Sequence, residues 1–146
     1  MRIQDSFREA QLDYAKVAAL LLGLLPKHKK LRICIDRTEW DFGTCQVNIL
    51  VILIGYGDIH IPFCWGSLDN KRGNSNAKDR IDLLNLCLTV IGKDRIGLVV
   101  GDREFIGREW LTFLKDNNLS FIMRIPKHHL TADINGHQQS VSDLFK

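Results

Sequence analysis

Residues 31–65 read LRICIDRTEWDFGTCQVNILVILIGYGDIHIPFCW, and this stretch decides the fold. Leu31, Ile33 and Ile35 alternate with Arg32, Cys34 and Asp36, the period of a half-buried strand, so a first strand is expected over Leu31–Thr38. Asp41-Phe42-Gly43 reads as a turn and Thr44–Ile54 as a long second strand. Its last part, Ile49–Ile54, is apolar at every position, which predicts an interior strand covered on both faces. Gly55-Tyr56-Gly57-Asp58 is a hairpin turn, and Ile59–Trp65 is a third strand. Pro62 lies inside that strand and has no N–H for a ladder, so the strand belongs at the sheet edge.

The chain continues with a polar loop, Ser67–Ser75, and then a helix from about Asn76. Ala77, Ile81, Leu84, Leu88 and Ile91 form its apolar stripe, with Ser75 as the expected N-cap and Gly92 as the stop. Ile96–Gly101 reads as a fourth strand, Ile106–Asp116 as a helix with Trp110, Phe113 and Leu114 inward, and Leu119–Ile125 as a fifth strand. Past Pro126 the periodicity fades, although Ser140–Lys146 has the makings of another element. Before the first strand, residues 5–25 read as a helix on Ala10, Tyr14, Val17, Ala18, Leu21 and Leu25, followed by Pro26 and the basic link Lys27-His28-Lys29-Lys30. The order helix, then β-β-β-α-β-α-β, is that of an α/β sheet with helices on its faces.

A length of 146 residues suits one domain, and 45% hydrophobic with 25% charged residues is a globular balance rather than a disordered one. The net charge of +3 gives only a weak pull toward acidic partners, so any nucleic-acid argument rests on where the basic residues cluster. The longest apolar runs, Val17–Leu25 and Ile49–Ile54, have nine and six residues against the roughly 20 that span a bilayer. Asp5, Glu9 and Asp13 precede the first run and no small-x-small cleavage site follows it, so a cytoplasmic protein is expected, with no membrane partner. Cys34, Cys45, Cys64 and Cys87 form no C-x-x-C pair and sit in or beside apolar runs, which predicts buried reduced thiols rather than a zinc site.

Two carboxylates carry the chemistry. Asp36 lies in or just after the first strand, and Asp102 follows the fourth. If those strands are neighbours, the two groups meet at one edge of the sheet. Bare carboxylates about 4 Å apart repel by roughly 4 kcal/mol at an effective dielectric of 20. A hard divalent cation removes that cost, and such a site suits two-metal phosphoryl transfer. The plainer alternative is that each aspartate caps the turn after its strand.

Several stretches resemble the ribonuclease H-like core of DDE transposases from bacterial insertion sequences. Ile35-Asp36-Arg37-Thr38-Glu39-Trp40 is similar to the first-aspartate motif, and Gly101-Asp102-Arg103-Glu104-Phe105-Ile106-Gly107 to the second. Asn48-Ile49-Leu50-Val51 and Ile61-Pro62-Phe63-Cys64-Trp65 resemble the second and third strands of that core, and Lys71-Arg72-Gly73-Asn74-Ser75 the loop before its helix. The resemblance implies a mixed five-stranded sheet of order 3-2-1-4-5. It also implies Asp36 and Asp102 as catalytic, metal-holding residues for Mg²⁺ or Mn²⁺. The implied activity is hydrolysis of DNA phosphodiesters and strand transfer between transposon ends and target DNA.

Lys71, Arg72, Asn74 and Arg103 are then candidates for contacting phosphates. Lys27, Lys29, Lys30 and Arg32, and the group Arg124, Lys127, His128 and His129, are further basic patches, each equally readable as a solvated face. The family's third acid is a glutamate in a Tyr-x-x-Arg-x-x-x-Glu pattern, and these 146 residues contain no such pattern. The expected organisation is therefore an N-terminal helix and basic link over 1–30, a core over 31–125, and over 126–146 the start of an inserted segment in a chain truncated before its third acid. A chain inactive alone is expected. The alternatives are a non-catalytic remnant that binds DNA or a transposase partner, and a stand-alone ribonuclease H-like nuclease using Glu39, Glu104 or Glu109. Glu104 is expected in solvent or paired with Arg108, and Trp40, Trp65 and Trp110 are expected to pack rather than stack on bases. An edge strand left open also favours self-association.

Overall fold

In the computed structural model, residues 13–27, 29–68, 73–132 and 135–145 are described. The first helix, α1, runs Tyr14–Leu24; Asp13 caps it by accepting the Lys16 N–H at 3.1 Å. The expected start near residue 5 lies outside the described residues. Ala18 and Leu25 of the expected stripe reach the core, with Leu21 packed against it, while Leu20 and Leu24 stay exposed.

Strand β1 spans Leu31–Phe42 and β2 spans Cys45–Tyr56, paired antiparallel from Arg32–Gly55 to Phe42–Cys45. Both are longer than the alternation of apolar residues suggests. The ladder continues through Arg37, Glu39 and Asp41, whose polarity interrupts the pattern without interrupting the backbone pairing. Two-residue turns at Gly43-Thr44 and Gly57-Asp58 close the two hairpins. Gly43 and Gly57 take φ of +62° and +60°, a left-handed conformation that glycine adopts at no steric cost.

Among the described residues strand β3, Ile59–Ser67, pairs only with β2 and lies at the sheet margin, as Pro62 requires. Ile52 opposes Cys64 and Leu53 opposes Pro62, so Phe63 is the extra residue of a bulge, and its side chain is buried.

Helix α2, Ala77–Ile91, is capped by Asn76 rather than by Ser75. The Asn76 carboxamide accepts the Asp79 N–H at 2.8 Å, and the Asp79 carboxylate accepts the Asn76 N–H at 3.2 Å, a reciprocal capping box. Ser75 is instead buried, where its hydroxyl accepts from Arg80 Nε at 2.8 Å. The buried face is Arg80, Leu83, Leu84, Cys87 and Ile91, so the stripe is turned by about one position from the one expected, and Ala77, Ile81 and Leu88 fall on its margin. Gly92 ends the helix as expected, its N–H donating to the Leu88 carbonyl at 2.9 Å.

Strand β4, Ile96–Gly101, runs parallel to β1. Helix α3, Arg108–Asp116, buries Trp110 and Leu114. Strand β5, Phe121–Met123, runs parallel to β4 and is shorter than expected, though the Arg124 N–H still donates to the Gly101 carbonyl at 3.0 Å.

The sheet order is β3-β2-β1-β4-β5, with two antiparallel pairs followed by two parallel ones, the order and polarity of a ribonuclease H-like sheet. Leu31, Ile33, Ile35, Leu50, Ile52, Ile54 and Val99 form one core with Leu84, Phe105, Trp110 and Leu114. On the other face Ile49, Val51 and Leu53 are only half-buried, so the described residues do not fully cover β2 on both sides as its apolar run suggests. Beyond the sheet, β6 (Leu130–Ala132) and β7 (Gln138–Ser140) form a small antiparallel hairpin, followed by a 3₁₀ turn over Val141–Phe145.

Gly101 sits where this core narrows. A Cβ there would meet Met123 Sδ at 2.7 Å, Ile35 Cγ2 at 3.1 Å and Phe105 Cβ at 3.1 Å. Gly101→Ala is therefore expected to cost about 1–3 kcal/mol, the usual range for overpacking. A lower urea midpoint with an unchanged slope would show it; an unchanged midpoint would mean that Met123 simply moves aside.

Candidate active site

Ile35 of β1 and Gly101 of β4 are partners in the parallel ladder, and Asp36 and Asp102 are the next residue on each. Their backbones therefore leave adjacent strands, which lie about 4.8 Å apart. Both carboxylates are treated alike by the chain. Asp36 Oδ1 accepts the Arg37 N–H at 2.8 Å, and Asp102 Oδ1 accepts the Arg103 N–H at 2.7 Å. At Asp102 the capping role is real, because a 3₁₀ turn, Arg103–Phe105, begins there and the Phe105 N–H donates to the Asp102 carbonyl at 2.9 Å. Both residues are exposed. The exposed guanidinium of Arg124 lies 3.7 Å from Asp102 Oδ1, a surface pair that contributes little to stability.

Beside this pair lies a cleft of about 510 Å³ lined by Arg37, Asn74, Asp102, Arg103, Glu104, Pro126 and His128. Three expected site residues, Asn74, Asp102 and Arg103, thus share one wall. Asp36 does not line it. Strand β1 continues past Asp36, and alternation sends Asp36 and Arg37 to opposite faces, whereas β4 ends at Gly101 and the turn carries Asp102 round to the cleft. Lys71 and Arg72 lie outside the described residues.

A polar network on the Arg37 side escaped the sequence reading. Arg37 Nε donates to both Glu104 oxygens, at 3.2 and 3.1 Å. Its Nη1 donates to Glu39 and, at 3.4 Å, to Asn48 Oδ1. Asn48, only 3% exposed, donates from Nδ2 to the Gly73 carbonyl at 3.1 Å, and the Gly73 N–H donates to Glu39 at 3.2 Å. Burial alone would lower the Arg37 pKa, but the hydrogen bonds to Glu104 and Glu39 outweigh it and hold that pKa above its ordinary value. Glu104 is thus neither solvated nor paired with Arg108. One signal was available: after Leu31, Ile33 and Ile35, the next inward positions of β1 are Arg37 and Glu39, charges on an otherwise apolar face.

Arg80 of α2 supports this turn from below. It is 5% exposed, lies 5.2 Å over the Phe105 ring and donates to Ser75 through Nε and Nη2. Burial lowers its pKa, with Glu104 and Asp79 opposing that shift.

The tryptophans divide. Trp110 is buried as expected, but Trp40 and Trp65 are 58% and 39% exposed. The Trp40 indole N–H donates to Thr38 Oγ1 at 2.6 Å. Cys34, Cys64 and Cys87 are free thiols, Cys87 buried and the other two half-buried. A hydrogen bond to Cys64 and burial together push the Cys87 thiol far above the usual cysteine range. The Cys45 side chain is outside the described residues.

Among the described residues no three His, Cys, Asp or Glu side chains cluster to hold a metal. The pair Asp36 and Asp102 offers hard oxygen donors on adjacent strands. Of the two only Asp102 lines the cleft, and hard oxygen donors are the type that Mg²⁺ or Mn²⁺ takes, commonly one or two carboxylates with water or phosphate oxygens in the remaining positions.

No protein-family model matches the chain, and no curated protein matches it. Solved structures are similar to it. One is a chain of the simian T-cell lymphotropic virus intasome in complex with PP2A regulatory subunit B56 gamma, at 16% identity and a TM-score of 0.48, covering 71% of this chain and 36% of that one. The HTLV-2 integrase catalytic core domain in complex with magnesium is similar in its dimeric form, at 14% identity and a TM-score of 0.47, over 69% of this chain and 63% of that one. In its trimeric form the values are 14%, 0.47, 69% and 62%. The chain spans about a third of the first and less than two thirds of the other two. No described helix is long and apolar enough to cross a membrane.

Proposed function

We propose that this chain carries two of the metal-holding acids of a DDE-type DNA transposase of the bacterial insertion-sequence kind, working in the cytoplasm on transposon ends and target DNA. The observation that carries the reading is the register in which Asp36 and Asp102 each follow the Ile35–Gly101 pair of two adjacent parallel strands. In this reading Asp36 and Asp102 hold Mg²⁺ or Mn²⁺. Such an ion, when bound, polarises the scissile phosphate and activates the attacking oxygen. Arg103, Asn74 and Arg124 contact phosphates around the cleft, joined by Lys71 and Arg72 of the loop before α2. Residues 126–146 open the inserted segment of that family, and the unpaired edge of β3 serves self-association.

A third carboxylate is needed to complete a two-metal shell, and a nucleophile must be held in line to about an ångström. The 146-residue chain is therefore expected to bind DNA weakly and not to join strands. With few phosphate contacts, each worth about 0.9 in the log-log salt slope, that slope should be only a few units. The test is Mg²⁺- or Mn²⁺-dependent nicking and joining of DNA carrying the element's ends, with Asp36→Ala and Asp102→Ala as controls. Robust joining abolished by either control would show a complete catalyst. Metal-independent DNA binding that neither control alters would instead favour a non-catalytic DNA-binding protein.

A further inference from the structure

We propose that Arg37 and Glu104 form a positioning clamp that sets the turn carrying Asp102 against the strand carrying Asp36, and that Glu104 acts through Arg37 rather than as a metal ligand. This inference rests on the reading of Asp36 and Asp102 as metal ligands. Glu104 stands two residues after Asp102 on the 3₁₀ turn, and Arg37 stands one residue after Asp36 on β1. The paired contact of Arg37 Nε with both Glu104 oxygens at 3.2 and 3.1 Å therefore ties the end of β4 to β1 just beyond the last rung of their ladder. Without it, nothing in the β1–β4 pairing holds the turn that carries Asp102, because the ladder stops at Gly101.

The clamp has rigid footings. Arg37 also donates to Glu39 and Asn48, and Asn48 and Glu39 together grip both the carbonyl and the N–H of Gly73. One guanidinium thus links β1, β2 and the turn after β4, and Asn48 and Glu39 extend that link to the loop entering α2. The Arg37 and Glu104 side chains are only 16% and 20% exposed, so solvent screens their attraction far less than it screens the Arg124–Asp102 pair. Engagement by Arg37 turns both Glu104 oxygens toward the guanidinium. Lysine could supply the charge but not the fork, since an ammonium cannot reach Glu104, Glu39 and Asn48 in one fixed plane.

The test is Mn²⁺ titration of the full 146-residue chain by calorimetry and by the electron spin resonance of free Mn²⁺, with thermal midpoints recorded for every variant. Groups bonded directly to metal ligands typically cost about 10–100-fold in metal affinity when removed, and this pair, which reaches Asp36 and Asp102 through the backbone, belongs at the lower end. Arg37→Met, Arg37→Lys and Glu104→Gln are each expected to raise the Mn²⁺ dissociation constant about tenfold. The Arg37→Met/Glu104→Gln double variant should be no weaker than either single one, because the two residues act as a unit. A lowered midpoint with unchanged Mn²⁺ affinity would make the clamp merely structural and overturn the inference. Weakening by Glu104→Gln but not by Arg37→Met would make Glu104 a ligand and also overturn it. Failure of the wild-type chain to bind Mn²⁺, or binding that Asp36→Ala and Asp102→Ala leave intact, would reject the metal reading itself, and the clamp with it.

Discussion

Trp110→Ala is expected to lower stability by about 3–5 kcal/mol, the range for removing a large aromatic side chain from a core that cannot collapse around the cavity. Trp110 is fully buried in α3, stacks on Phe113 with ring centroids 6.2 Å apart, and belongs to the same core as Ile35, Val99 and Phe105. The loss would be a large share of the 5–15 kcal/mol that holds a typical domain folded. Trp110→Phe should cost much less. It keeps most of the apolar volume and removes an indole N–H that is buried without an acceptor among the described residues. Chemical denaturation of the three proteins checks both statements. An alanine variant within 1 kcal/mol of wild type would mean that α3 repacks freely over the sheet.

Asp36→Ala and Asp102→Ala are each expected to weaken Mn²⁺ binding at least tenfold while changing stability little. In the proposed reading two carboxylates hold the ion, so removing one takes half of their charge from it, and Mg²⁺ and Mn²⁺ sites depend on that charge to offset dehydration. Both side chains are exposed, and exposed substitutions usually stay within about 0.5 kcal/mol. Asp102→Ala should sit at the upper end of that range or above it, because its side chain also accepts the Arg103 N–H at the start of the 3₁₀ turn. Equal Mn²⁺ affinity in wild type and both variants would leave capping as the whole role of these aspartates.

Much of this arrangement is legible without the structure. Strand positions follow from alternation in β1 and the apolar runs of β2 and β4, because a pleated backbone turns every second side chain to one face. Pro62 announces an edge strand because it has no N–H to give. The motif positions of Asp36 and Asp102 place both acids where an apolar run ends; β1 in fact continues past Asp36 to Phe42 because polar residues keep the ladder with β2, and the parallel pairing of β1 with β4 makes the two positions adjacent.

Other features depend on groups far apart in the chain. Glu104 finds Arg37 across 67 positions, closer in space than the Arg108 that follows it on its own segment. The N-cap of α2 passes from Ser75 to Asn76 because buried Arg80 claims the Ser75 hydroxyl. Trp40 and Trp65 are expected to pack in the core or on a sheet face, and they stand exposed because burial depends on what packs over a face, which no local pattern encodes. The sequence by itself determined which segments are strands and helices and that Asp36 and Asp102 follow apolar runs, since local sterics and periodicity act over a few residues. Only the tertiary structure decided which charges neutralise one another and which apolar faces are covered, since those depend on through-space contacts between distant segments.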